Sequence, residues 1–349
     1  MLMADALVTP AVAGTMYACS AVAAGYAIKK VRLENEPKKI PVMGIMGAFV
    51  FATQMVNFTI PGTGSSGHLC GGMLLSALLG PAAGFLTMIG ILLIQCLMFA
   101  DGGILALGCN IWNMVFYSCF LGALLIWKPI MKKGTGKGKI IAASILGCVA
   151  SLQCGAFSVT LETLASGITE LPFSAFVAAM QPIHLAIGLI EGLITAAVLV
   201  FVYESRPDML WGIGEEEKEK EGRLPFRKTL VCLSVGAVVI AGGISLLASS
   251  HPDGLEWSIQ KLTGSTEVEA VGSIYQKVQK IQDVTAVLPD YAVKGSDSVL
   301  GTSLSGIAGG LAVVILCVIC CYLFRFFRKR NNVEVLNGHH SNEYEKEEK

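Results

Sequence analysis

Few residues of this 349-residue chain could do chemistry, and they sit in unusual surroundings. The segment Gly62-Thr63-Gly64-Ser65-Ser66-Gly67-His68-Leu69-Cys70-Gly71-Gly72 sets one imidazole in a run of small residues. From Ile40 to Trp127 there is no Lys, Arg or Glu, and Asp101 is the sole charge. An imidazole at membrane depth is costly without a partner, and ionisable groups there mark ion or substrate sites. The segment therefore reads either as a hinge loop with a satisfied histidine or as a loop that presents a ligand. Further polar residues in apolar runs are Gln54, Asn57, Gln95, Asn110, Asn113, Glu162 and His184. Glu191 follows His184 by seven residues and so shares roughly one helix face with it. Singly, each suits an interhelical hydrogen bond. Together they describe a bundle polar toward one end only, which fits a receptor better than a pore.

The elements that must position these groups are membrane helices. The chain is 53% hydrophobic and 15% charged, against about 25% charged in soluble domains, so an all-α polytopic membrane protein is expected. Twenty of its 26 Lys and Arg residues fall in four groups: 29–39, 128–139, 206–228 and 325–330. Such clusters mark cytoplasmic loops. Candidate spans are 11–28, 41–57, 82–100, 104–127, 140–165, 182–203, 226–248 and 301–324. The first 28 residues contain no basic residue, so a signal peptide is not expected; an uncleaved first span with the N-terminus outside is.

Parity then adds one more crossing. If both 29–39 and 128–139 lie inside, the segment 58–127 must cross an odd number of times, yet 82–100 and 104–127 supply two. The missing crossing is Leu69–Gly80, directly after His68. Twelve helical residues reach only about 18 Å, short of a hydrocarbon core of roughly 30 Å. The preceding glycine-rich loop is therefore expected to dip into the membrane, where irregular backbone survives only if buried in protein or lining a cavity. The expected count is seven spans, a charged linker and two further spans. A short interfacial piece is expected around 173–180.

Other motifs carry less. Gly134-Thr135-Gly136-Lys137-Gly138-Lys139 lacks the spacing of a phosphate loop, since Ile140 follows the lysine. The eleven cysteines lie mostly in apolar runs and behave there as small hydrophobes. Cys317, Cys320 and Cys321, at the inner end of a span, suit packing or acylation, and His339-His340 falls in a polar tail. No nucleophile elbow or H-E-x-x-H occurs. The chain reads as a non-enzyme without a cofactor or a nucleic-acid partner.

Several separated segments, in order, resemble the CbiM/NikM family: Met3-Ala4-Asp5-Ala6-Leu7-Val8-Thr9-Pro10, the Gly64–Leu69 loop, Asp101-Gly102-Gly103, and Pro182-Ile183-His184-Leu185 through Glu191-Gly192. Members are substrate-binding components of energy-coupling-factor transporters for cobalt and nickel. His251-Pro252-Asp253-Gly254-Leu255-Glu256-Trp257 resembles the PDGLE domain, which stands where related systems have a separate two-span subunit. The resemblance implies a metal-binding region over 1–205, a cytoplasmic linker over 206–225, and a PDGLE module over 226–330 with an outer loop 250–300. A disordered tail is expected over 331–349.

The resemblance further implies that the chain start folds into the bundle. There the amine of residue 1, the amide nitrogen and imidazole of a histidine at position 2, and the loop histidine hold the ion. Four nitrogens in a plane suit Ni(II) or Co(II). Here position 2 is Leu2. Met1, Leu2 (through its amide) and His68 carry over as metal ligands; the second imidazole does not. The Met1 or Met3 thioether, Cys70 or water are substitutes. The function implied is capture of Co(II) or Ni(II) by a multi-pass plasma-membrane subunit, with a transmembrane coupling component and a cytoplasmic ATPase pair as partners. Alternatives are a membrane metal sensor or scaffold of altered specificity, which Leu2 favours, and a secondary metal transporter, which would need paired ionisable residues along its path. Small-residue pairs at Ala48/Ala52 and Gly14/Ala18 are candidate docking faces for the coupling component.

Overall fold

In the computed structural model the described residues are 2–31, 38–168, 171–266, 268, 271–293 and 299–347; beyond Phe326 only backbone is described, as it is for Val299, Leu300 and Arg325. The first helix, α1 (Pro10–Lys30), begins where a sequence reading places it. Thr9 caps it by accepting from the Val12 amide, and Pro10 occupies its first turn, where no amide donor is required. Helix α2 (Lys39–Gln54) is buried on nearly every face. A two-stranded hairpin follows, β1 (Phe58–Ile60) antiparallel to β2 (Ser65–Gly67), with Thr59 opposite Ser66.

Helix α3 (Gly72–Leu79) is eight residues long and wholly buried, a rise of about 12 Å. It stands within the stretch Leu69–Gly80 where charge parity leads one to expect a short crossing, and is four residues shorter than that stretch. Gly80 and Pro81 end it and open α4 (Pro81–Met98). The next rod, Leu107–Lys132, comprises α5 (Leu107–Asn110), a wider π-wound stretch Ile111–Trp127, and α6 (Lys128–Lys132). Helices α7 (Lys137–Ser166) and α8 (Phe173–Ser205) form the most extensive helix pair.

Helix α8 corrects one expectation. No separate interfacial piece stands at 173–180; the helix runs unbroken from Phe173 through Pro182. A proline removes one amide donor from a helix. Here Gln153 of α7 and Gln181 exchange side-chain-to-carbonyl hydrogen bonds of 2.9 and 3.3 Å across the pair, bracing the turn next to Pro182.

The remaining elements are α9 (Glu215–Lys218), α10 (Phe226–Gly242), α11 (Gly254–Thr263), α12 (Ser273–Thr285) and α13 (Val299–Glu347). The tail expected to be irregular after Arg330 continues the α13 backbone and has no described side chains. Among the described residues six helices are long and apolar enough to cross a membrane; α2, α3 and α10 are shorter at 16, 8 and 17 residues. The molecule is an all-α polytopic membrane protein.

Helix α13 packs against α2, α4 and α10. This corrects the docking face proposed on α2, since Ala52 is buried and Ala48 lies against Gly310 of α13. Small residues there do allow close helix approach, but the partner is another helix of the same chain. Gly14 and Ala18 of α1 stay exposed.

The bundle has two distinct ends. At one, the hairpin, the 99–106 turn, α11 and α12 come together. At the other, the basic linkers meet: one cavity is lined by Lys38, Lys39 and Lys218, and a second by Lys30, Lys39 and Lys128.

Candidate metal centre

The histidine loop is shaped by close packing before any ligand is considered. A Cβ on Gly67 would stand 2.6 Å from Ile187 Cγ1, so only glycine lets the end of β2 lie on α8. Gly71 has φ of +81° and would meet Val50 Cγ1 at 2.3 Å, so it is confined to glycine by both conformation and space. Between these two residues the chain turns from strand to helix and presents His68, Leu69 and Cys70.

Glu191, fully buried on α8, clamps the far end of that turn. Its Oε2 accepts from the Cys70 amide at 2.9 Å and its Oε1 from the Gly71 amide at 3.0 Å. These amides precede α3 and belong to its unsatisfied N-terminal donors, where an acidic group is also favoured by the helix dipole. Gln54 Nε2 donates to the Cys70 carbonyl at 2.8 Å, so the peptide unit is pinned on both sides.

His68 is half-buried. Its Nδ1 lies 3.0 Å from the Leu69 carbonyl oxygen. A carbonyl only accepts, so Nδ1 carries the proton and the ring lone pair resides on Nε2, the atom a metal would use. Burial holds this imidazole below its ordinary pKa, favouring the neutral, ligating form. Burial pushes the Asp101 carboxyl upward, against the hydrogen bond it accepts from the Tyr291 hydroxyl.

His184 follows the same pattern at greater depth. It is 1% exposed, and its Nδ1 donates to the Met180 carbonyl at 2.8 Å. His68, Cys70, His184 and Asp253 line one cavity of about 10 Å³ together with Met114 and Gly254, space for about one water-sized sphere. The Cys70 thiol donates to the Met114 carbonyl at 3.1 Å. Among the described residues no three of the His, Cys, Asp and Glu side chains already converge on a single point.

The chain start does fold into the bundle. Met3 is fully buried, its amide donating to Asn110 Oδ1 at 2.7 Å and its carbonyl accepting from Asn110 Nδ2 at 3.2 Å and from the Gly103 amide at 3.0 Å. Asn113 Nδ2 reaches both the Met3 sulfur at 3.6 Å and Glu162 Oε2 at 2.7 Å. Asp5 Oδ1 accepts from the Ala106 amide at 2.9 Å. Leu2 is half-buried and packs beside Gly102. Its side chain and the Met3 thioether are both absent from the lining of the His68 cavity. Met1 lies outside the described residues.

The C-terminal module covers this end. The Ser66 amide donates to the Pro252 carbonyl at 2.8 Å, Ser66 Oγ to the His251 carbonyl at 2.8 Å, and Trp257 Nε1 to the Thr63 carbonyl at 3.0 Å. Gln282 Nε2 donates to the Cys96 and Gly102 carbonyls at 3.0 and 2.8 Å. Two features escape a sequence reading, the Glu191 clamp and the approach of Asp253 to His68. The H-P-D-G-L-E-W run signals a helix start, and Asp253 and Glu256 do form a capping box, but nothing in it says what the helix start faces.

Similarity to known proteins agrees with this architecture. Residues 3–209 match the CbiM family, described as the cobalt uptake substrate-specific transmembrane region, and 227–326 match the PDGLE domain. A putative fused nickel transport protein NikMN of Archaeoglobus fulgidus is 33% identical over 90% of this chain and 96% of its own length. A probable fused nickel transport protein LarMN of Lactiplantibacillus plantarum is 30% identical over the same 90% of this chain and 96% of its own length. A crystal structure of a truncated transition metal transporter superimposes with a TM-score of 0.51 at 29% identity, covering 58% of this chain and 99% of that one. On these matches, and on the helices that carry them, the chain belongs to the CbiM family and bears a PDGLE domain behind its CbiM region.

Proposed function

We propose that the chain is the membrane-embedded capture subunit of an ATP-driven importer of cobalt or nickel ions. The observation that carries this reading is the small cavity under the hairpin, lined by His68 on a loop that Glu191 clamps from below. A neutral imidazole on a braced loop, over a space the size of one ion, is an arrangement suited to binding a borderline transition metal.

In this reading His68 is the first ligand, and the Met1 amine and Leu2 amide nitrogen close the site from the chain start that Asn110 fastens. The hairpin end faces outside and the lysine-lined end faces the cytoplasm, in keeping with the positive-inside rule. ATP is hydrolysed by a cytoplasmic pair reached through a transmembrane coupling component, and the imported ion supplies an intracellular use such as cobalamin synthesis. The bundle over 1–205 captures, and the module over 226–330, joined through 206–225, regulates or braces it.

Leu2 favours a second reading, a homologue of altered metal specificity that senses rather than transports. Titration calorimetry of the purified chain with Ni(II) and Co(II) tests the first. Binding that His68→Ala abolishes is expected; equal binding by wild type and variant would remove His68 from the site and the reading with it. Loss of binding without any metal-dependent import in cells carrying the coupling and ATPase subunits would leave the sensor.

A further inference from the structure

We propose that the lysine-lined end of the bundle binds an anionic phospholipid, its phosphate held between Lys30, Lys39 and Lys128 and an acyl chain lying along α4. This rests on the membrane placement of the helices and is independent of the metal centre.

The phosphate site is a cavity of about 350 Å³. Its three lysines come from three elements: Lys30 ends α1, Lys39 opens α2 and Lys128 opens α6. Among the described residues no Asp or Glu lines it, whereas the neighbouring cavity, which shares Lys39 and Trp211, contains Asp208. Other basic groups at this end meet carboxylates: Lys137 and Arg223 pair with Glu204, and Arg206 with Asp208. Lys30 and Lys128 are seated on rings instead. Lys30 Nζ lies 5.6 Å from the Tyr26 ring centroid and Lys128 Nζ 5.7 Å from that of Trp211. A ring face attracts an ammonium without neutralising it, so both charges stay open to an anion. Helix α4 starts at the same cavity with no side chain capping its first turn, and its positive end adds to the field.

Two features select a lipid over a free phosphate. First, the lysines stand where apolar helices end: Lys30 closes the span Pro10–Lys30, and Lys128 lies in the last turns of Leu107–Lys132. Headgroups lie at that depth, and Tyr26 and Trp211 are the ring types that favour it. Second, an apolar groove of about 650 Å³ opens on the other side of Val31, which borders both cavities. The groove follows α4 from Leu86 to Leu93, about 10 Å of rise, with Leu316 and Leu323 of α13 opposite. A soluble anion gains nothing from that groove; an acyl chain fills it. Basic pockets between span ends recognise anionic headgroups in this way. The lipid would tie α1, α4 and the Leu107–Lys132 rod together.

The test uses the full-length chain in detergent without metal, followed by native mass spectrometry and thermal melting. The probes are dioleoyl phosphatidylglycerol, dioleoyl phosphatidylcholine and glycerol 3-phosphate. Phosphatidylglycerol should stay bound and raise the melting temperature; the other two should not. Lys30→Gln with Lys128→Gln should weaken its binding about thirtyfold and leave lipid-free melting unchanged. Lys30→Arg with Lys128→Arg, which keeps both charges, should retain it. A Cβ on Gly90 would lie 3.4 Å from Leu316 Cδ2, so Gly90→Leu should crowd the groove and weaken binding as well. Equal binding of the two lipids, full affinity in the glutamine variant or loss in the arginine variant would overturn the proposal and leave lysines that only reach for water. An equal shift from glycerol 3-phosphate, or full affinity in Gly90→Leu, would overturn the lipid in favour of a soluble anion. With no metal present, each of these results leaves the His68 reading where it stands.

Discussion

The chain start and the His68 loop, two segments at the same end of the bundle, are held by different means. The chain start is held through its own backbone: Asn110 grips Met3 with a reciprocal amide pair, and Gly103 adds a third bond. The identity of the neighbouring side chain is immaterial to that grip, so position 2 can change without releasing the strap. The His68 loop is held by one acidic side chain from beneath, with both carboxyl oxygens of Glu191 engaged on successive amides. Gln54 holds the Cys70 carbonyl from the other side, but both successive amides rely on one residue, 120 positions from Gly71. The chain start thus tolerates a change of side chain at position 2, while the loop tolerates little change at Glu191.

That contrast can be broken most severely at the clamp. Glu191→Ala should leave two buried amides unpaired, destabilise the fold by about 2–5 kcal/mol and abolish metal binding, as read by thermal melting and calorimetry; Glu191→Gln, keeping one acceptor, should lose less. Next in size, Gly67→Ala should force Ile187 aside and lower stability by roughly 1–3 kcal/mol, with a matching shift in melting temperature. Asn110→Ala should cost about 1–3 kcal/mol by orphaning the Met3 amide, the Met3 carbonyl keeping its bond from Gly103; limited proteolysis should then cut within residues 2–9, where wild type resists. The smallest change sharpens the contrast. Leu2→His should raise Ni(II) affinity about tenfold, or about 1.4 kcal/mol, with no change in melting of the metal-free protein. An unchanged affinity would show that the strap, although fastened, does not deliver position 2 to the ion.

Much of the frame is legible in residue order, because charge and length obey simple rules. Charge parity and the apolar stretch Leu69–Gly80 together lead one to expect a short helix after the histidine, which is found at Gly72–Leu79, and the family resemblance that includes Met3–Pro10 implies the folded-back start. The clamp is not legible. Glu191 reads as a helix-face neighbour of His184, which is true, but its partners are backbone amides, and amides carry no residue signature. The occupation of the α2 small-residue face by α13 is hidden for a related reason: alanine and glycine advertise close approach without naming the partner. Pro182 misleads because proline weakens a helix locally, and only the Gln153–Gln181 exchange, a tertiary contact, shows the turn being braced.

Helix α3 deserves a last consequence. Its first turn is tied through the Gly71 amide to Glu191. Its last turn is tied at the other end of the bundle, where the Ala77 carbonyl accepts from the Trp211 amide at 2.7 Å and Trp127 Nε1 donates to the Trp211 carbonyl at 2.7 Å. Between these ties the backbone is continuous buried helix, Gly72 through Ser76. Short helices of this kind behave as stiff struts, and stiff elements are what carry a displacement between distant surfaces. The peptide that follows the histidine and the linker beside the lysines are therefore both fastened to one buried helix. The two ties are six residues apart, about 9 Å of helical rise.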